Sequence, residues 1–193
     1  MAHSMECHCL RSSDLPHTSK LYACFLEEFS RVARFYAHPP TEEGLQAAAG
    51  EVRQDAGVRA QVVDILREQN RKFGADASVM RNLDRLAAGA LAVVSGQQVG
   101  LFSGPAYSFY KALTAVRAAL HLTDTGTEAV PIFWLAAEDH DLAEVDHSFW
   151  LAHGPRLDRI TLEAAEGAAG RPVGEILLGE AAGRKTRTAA EAL

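Results

Sequence analysis

The chain has 193 residues, 48% of them hydrophobic and 23% charged, with 19 basic against 25 acidic side chains and a formal net charge of −6. That composition excludes a disordered or fibrous protein, and its acidity argues against a surface built to coat nucleic acid or an anionic membrane. The longest unbroken apolar stretch, Ala129 to Ala137, falls far short of the ~20 residues that cross a bilayer.

The first residues, MAHSMECHCLRSSDLPH, have neither a basic start nor an apolar segment, so no secretory signal is legible and the cytoplasm is the expected compartment. Cys7, Cys9 and Cys24 are an odd and sparse set that fits reduced thiols. Cys7-His8-Cys9 offers soft ligands but lacks the paired CxxC spacing of a structural zinc site. Ser19 to Tyr36 carries Leu21, Phe25, Phe29 and Val32 at helical spacing, and His38-Pro39-Pro40 closes it. Thr41 reads as an N-cap with Glu42 and Glu43 in the first turn, and Val58, Val62, Leu66 and Phe73 mark another helix ended by Gly74. Ala77 to Ala88, with Val79, Met80, Leu83 and Leu86, is a fourth helical stretch.

At Leu91 the pattern changes. Leu91 to Val94 is too short for a helix and lies between Gly89 and Gly96, which predicts a buried strand. Ala106 to His121 returns to helical spacing through Tyr107, Tyr110, Leu113, Val116 and Leu120, and a second buried strand is predicted from Val130 to Ala136. Strand, helix, strand in about 45 residues is the length of a right-handed βαβ unit, so the fold class is α/β. Trp134 is expected in the core, and Tyr107 and Tyr110 as packing residues with a polar tip. Ser148 to Ala152 and Arg159 to Leu162 read as short strands, whereas Glu163 to Leu193 has no strong apolar period. No internal repeat is visible.

Both apolar runs stop abruptly at polar clusters, as buried parallel strands do when they deliver a site at their carboxyl ends. Between the first strand and the helix lie Ser95-Gly96-Gln97-Gln98-Val99-Gly100-Leu101-Phe102-Ser103-Gly104-Pro105, where backbone N–H groups and the helix dipole favour an anion. Neither GxxxxGK[ST] nor GxGxxG is present. Gln97 and Gln98 add amide donors and acceptors, and Lys111 is within one to two helical turns of the loop. After the second strand, Glu138-Asp139-His140-Asp141 crowds three carboxylates and an imidazole together, an arrangement expected to raise at least one carboxyl pKa and to keep His140 protonated. Should a helix begin near Asp141, His140, Glu144 and His147 share one face, which is metal-ligand geometry in principle although not HExxH.

VVSGQQVGLFSGPAYSFYK followed by VPIFWLAAEDHDLAEVDH strongly resembles the cysteine-adding ligase family of bacillithiol biosynthesis, and the resemblance runs from the amino-terminal helices to about Trp150. It implies a Rossmann-like parallel-sheet core preceded by amino-terminal helices, with residues 1–88 as the helical segment and residues 89–193 as the first, incomplete part of the ligase core. The implied reaction joins L-cysteine to the amino group of glucosamine-malate. ATP or another nucleotide with magnesium is the implied cofactor, without a firmly implied protein-bound metal, and a carboxyl-terminal coiled coil supports a homodimer. Related nucleotide-binding cores carry an HxGH loop; here Phe102-Ser103-Gly104-Pro105 stands in its place and keeps the glycine but neither histidine. On this resemblance Ser95, Gly96, Gln97, Gln98, Gly104, Lys111 and Glu138 are the candidates for holding nucleotide or substrate, and Asp139, His140 and Asp141 for orienting the cysteine ammonium or handling protons. The resemblance implies family members of several hundred residues, so an amino-terminal portion with exposed apolar edge strands is expected to aggregate or associate. Two other functions fit the residues: a metal-dependent hydrolase built on His140, Glu144 and His147, and a nucleotide-binding module without chemistry.

Overall fold

Four helices begin where a short polar side chain satisfies a free backbone N–H. Ser19 accepts from the Tyr22 amide at α1 (Lys20–Glu27), Thr41 from Gly44 at α2 (Glu42–Glu51), Asp55 from Val58 at α3 (Ala56–Lys72) and Asp76 from Ser78 and Val79 at α4 (Ala77–Ala87). The computed structural model describes residues 9–151, 157–163, 168, 170–178 and 180–191; Cys7 and His8 of the cysteine-histidine run and Ala152 of the expected strand lie outside them. The chain divides into two compact units, Met1–Leu91 with His121–Ala129, and Ala92–Leu120 with Val130–Leu193.

In the first unit α3 packs on α4, with Val63, Leu83 and Leu86 buried between them and Arg67 paired to Asp84 at 2.7 Å. The expected helix from Ser19 to Tyr36 is shorter. Glu28 leaves the helical region (φ −138, ψ 57), and one 3₁₀ turn follows at Phe29–Arg31. The reason is aromatic: Phe25 and Tyr36 have ring centroids 4.6 Å apart, whereas an unbroken helix would separate those positions by about 16 Å along its axis. The expected stripe of α3 is also displaced, because Val63 is buried while Val58, Val62 and Phe73 are exposed. Arg85 reaches Glu128 Oε2 through Nε (3.0 Å) and Nη2 (2.7 Å) and also donates to Thr123 Oγ1.

The second unit holds the α/β part. β1 (Leu91–Gln98) pairs with β2 (Ala129–Ala136) in a two-stranded parallel sheet, the two strands joined through α5 (Tyr107–Asp124). β3 (His147–Leu151) and β4 (Leu157–Thr161) form a separate antiparallel pair, His147 opposite Thr161 and Leu151 opposite Leu157. Between β2 and β3 lies a single helical turn, α6 (Leu142–Val145), and a later helix, α7 (Glu180–Glu191), anchors through Lys185 Nζ on the Thr161 carbonyl at 2.7 Å.

Four sequence expectations need correction here. β1 runs four residues further than expected, so Ser95, Gly96, Gln97 and Gln98 are strand rather than loop. Gly96 is required there by closeness: a Cβ would stand 2.7 Å from the Trp134 carbonyl oxygen. Neither strand is fully buried, since Val94, Trp134 and Leu135 are exposed and β2 is buried only at Ala129 and Val130. The buried face of α5 is the small-residue face of Ser108, Ala115 and Ala119, continued by Leu122, while Tyr107, Tyr110, Leu113 and Leu120 face outward. Side-chain size misled the pattern: an apolar period marks a face without saying whether the small or the large residues are covered. α7 was not expected, because its sequence EAAGRKTRTAAE has helix formers but no large apolar residue to set a period.

Candidate functional site

The carboxyl ends of β1 and β2 are joined by an unbroken run of hydrogen bonds. Lys111 Nζ, in the second turn of α5, donates to Gln97 Oε1 at 2.9 Å; Gln97 Nε2 donates to Gln98 Oε1 at 2.9 Å; Gln98 Nε2 donates to Asp139 Oδ2 and to Glu144 Oε2, each at 3.0 Å. An ammonium stands at one end and two carboxylates at the other, so each amide has one orientation that satisfies both neighbours. Lys111 also lies 5.6 Å from the centre of the Tyr107 ring, a cation–π distance. The side chain thus runs over the first residue of α5 to the end of β1.

Asp139 takes the Asp141 amide on Oδ1 at 3.1 Å. That backbone bond, followed by the Gln98 side chain, holds the Asp139 carboxyl below its ordinary value. The expected raised carboxyl is therefore not Asp139: the hydrogen-bond donors around it favour its charged form more than burial disfavours it. The segment is held from behind as well, because Val173 N–H donates to the Asp139 carbonyl at 2.7 Å and Gly174 N–H to the Ala137 carbonyl at 2.9 Å. Glu138 is exposed and accepts from Trp134 Nε1 at 3.4 Å. His140 and Asp141 are exposed, and Ser95 is half-buried with no side-chain hydrogen bond among the described residues.

The connection from β1 to α5 is strained and closed on itself. Phe102 and Ser103 have φ of +54 and +71, and Gly104 has φ +77 with ψ −162, a region open essentially to glycine alone. A Cβ at Gly100 would lie 3.1 Å from the Gly104 Cα, so the two glycines let the ends of the loop touch. Ser108, in the first turn of α5, is 7% exposed and its Oγ has no hydrogen-bond partner among the described residues. An unpaired buried hydroxyl beside a helix start suits an oxyanion or a nucleotide phosphate.

A cavity of about 310 Å³ opens between these parts. Gly104, Pro105 and Tyr107 line it at the start of α5, Gln97 and Gln98 at the end of β1, and Glu144 and His147 from α6 and β3. Neither Asp139 nor His140 lines it. The expected helical face of His140, Glu144 and His147 does not form, because α6 stops after one turn and His147 already belongs to β3. Among the described residues no group of three or more His, Cys, Asp or Glu side chains is placed to hold a metal ion, so the metal-dependent hydrolase loses its geometry. No helix of the described residues is long and apolar enough to cross a membrane.

Sequence reasoning gave Glu144 and His147 only a metal-ligand role and missed Ser108, Val173 and Gly174. Glu144 is a second acceptor for Gln98, His147 lines the cavity, and the amides of Val173 and Gly174 hold the acidic segment. Only His147 and Glu144 carried a signal, their nearness to the acidic run; the backbone bonds of Val173 and Gly174 have none.

Residues 5–192 match the model of the family described as bacillithiol biosynthesis BshC, N-terminal Rossmann-like domain. A cysteine ligase BshC of Solibacter usitatus (strain Ellin6076) is 46% identical over 179 residues, covering 90% of this chain and 32% of that protein. The proteins of the same name from Koribacter versatilis (strain Ellin345) and Geobacillus thermodenitrificans (strain NG80-2) are 40% and 34% identical, covering 87% and 75% of this chain. The chain thus spans about a third or less of the length of these relatives, 32%, 31% and 27% respectively. With nearly every residue inside the matched range and a parallel βαβ core where that domain is Rossmann-like, the chain belongs to the BshC family of bacillithiol biosynthesis, in its N-terminal Rossmann-like domain.

Proposed function

We propose that the chain carries the first part of the active site of an amide-forming ligase, one that joins the carboxyl group of L-cysteine to the amino group of glucosamine-malate. The observation that supports this most directly is one cavity lined both by the start of α5 and by Glu144. Anionic groups are favoured at the helix start and cationic ones at the carboxylate. A zwitterionic amino acid or an amine-bearing anion matches that polarity.

ATP with magnesium is part of the same proposal, and the unpaired Ser108 hydroxyl, the Gly104 backbone and the first turn of α5 are the groups that fit its phosphates. Bound there, the nucleotide would supply activation of a carboxyl group. The chain's own contribution is positioning. The Lys111–Gln97–Gln98 run fixes the direction of the Gln98 amide, and Gln98 bridges Asp139 and Glu144 by donating to both. Asp139, held ionised, suits orientation of an ammonium group and not donation of a proton. His140 and Asp141 stay in the proposal as exposed groups next to it. The cytoplasmic location and the homodimer implied by the resemblance belong to this reading too.

The test is incubation of the purified chain with L-cysteine, glucosamine-malate, ATP and magnesium, followed by mass spectrometry for bacillithiol against a no-protein control. Product is the expected result. No product from this chain together with product from a full-length relative would show that the activity needs residues beyond these, and no product from either would end the ligase reading.

A further inference from the structure

The cavity contains a histidine whose chemistry the ligase reading leaves unused. His147 is the first residue of β3, its side chain is 22% exposed, and its Nδ1 lies 2.9 Å from Asp146 Oδ1. Asp146 is itself fixed at both backbone groups, its N–H donating to the Leu142 carbonyl at 2.9 Å and its carbonyl accepting from the buried Leu162 N–H at 2.8 Å. The edge-on Phe149 ring, 5.2 Å away, holds the imidazole from a second side. A carboxylate only accepts, so Nδ1 carries the hydrogen in the neutral ring and Nε2 presents a lone pair. Nε2 makes no hydrogen bond among the described residues, and the ring lines the cavity beside Glu144.

We propose that His147, oriented by Asp146, is the proton acceptor for the amine substrate of this site. The inference rests on the ligase reading and assigns one step within it. A primary ammonium drawn to Glu144 gives one proton to Nε2: the substrate N–H bond breaks, its electron pair stays on nitrogen, and an Nε2–H bond forms. The products are a neutral, nucleophilic amine and an imidazolium whose Nδ1–H remains on Asp146. The same carboxylate that sets the tautomer stabilises the charge.

The experiment uses the whole 193-residue chain labelled with ¹⁵N. Long-range ¹H–¹⁵N spectra, with the His147 signals identified by their loss in His147→Gln, should show the Nδ1–H tautomer. Asp146→Asn should switch it to Nε2–H, because an amide can donate to Nδ1. Addition of glucosamine-malate should move the His147 Nε2 resonance in the wild-type chain. In the ligation assay, His147→Gln with an unchanged far-ultraviolet circular dichroism spectrum should lose roughly 10²- to 10⁴-fold in rate, the usual share of one general base. An Nε2–H tautomer in the wild-type chain, an Nε2 resonance that ignores the amine, or a His147→Gln chain that ligates at the wild-type rate would each overturn the assignment. Absence of product from both the wild-type chain and a full-length relative, with both spectroscopic results positive, would instead count against the ligase reading and leave His147 as the amine's proton acceptor.

Discussion

Asp139 commits both carboxylate oxygens locally, one to the Asp141 amide and one to Gln98. Its pKa is lower in the fold than its ordinary 3.8, so the stability it supplies is fully present above that value and is lost as the pH falls through the folded one. Asp139→Asn is therefore expected to lower the urea midpoint at pH 7, with the gap to the wild type closing on acidification below about pH 4. An equal gap at pH 7 and pH 3 would show that the charge is not what stabilises the segment. Gln98→Leu removes the second of the two principal donors to Asp139. Its carboxyl should then titrate higher than in the wild type, read from the side-chain carbon shift during a pH titration. The variant should also form product more slowly, because Asp139 and Glu144 lose the amide that bridges them.

The elements carry sharper mutational contrasts than the surface does. Gly104→Ala places a side chain at φ +77 and ψ −162 and is expected to cost about 1–3 kcal/mol. Gly96→Ala pushes a methyl against the Trp134 backbone, which is expected to cost a similar amount, about 1–3 kcal/mol, by forcing β1 from β2. Gly183→Ala, inside α7 with nothing within 4 Å, should instead stabilise by about 0.5–1 kcal/mol. Denaturant midpoints of the three variants check the sign of each. These contrasts mark what the sequence showed and hid. The Thr41 cap announced α2, the spacing of Val79, Met80, Leu83 and Leu86 announced α4, and the switch of pattern at Leu91 announced the α/β part. The covered face of α5 was hidden, since Ser108, Ala115 and Ala119 are too small to weigh in a hydrophobic period. The site was legible as two polar clusters, but not as a chain of bonds, because Gln98 and Glu144 meet only through the fold.

At the scale of the whole molecule, exposed apolar side chains are the dominant feature: Tyr110 at 69%, Phe109 at 61% and Leu113 at 58% lie on one helix, and Trp134 at 57% on a strand. A patch of that kind is normally covered by protein. The chain is accordingly expected to self-associate, with sedimentation velocity showing species heavier than a single chain whose share grows with concentration. A single monomeric boundary across that range would mean that these side chains find cover within one chain.

The backbone bonds from Val173 and Gly174 to the acidic segment have a consequence for where this protein can be cut. Asp139, His140 and Asp141, together with every lining residue of the cavity, precede residue 148, so a piece ending there would contain all the chemistry that has been named. It would lack the two amides that hold the Ala137 and Asp139 carbonyls, and those carbonyls would turn to water. Such a piece should keep its helices yet show faster amide exchange through residues 137–141 than the longer chain. The inventory of functional groups and the smallest working unit are different stretches of this sequence, separated by residues whose side chains do no chemistry at all.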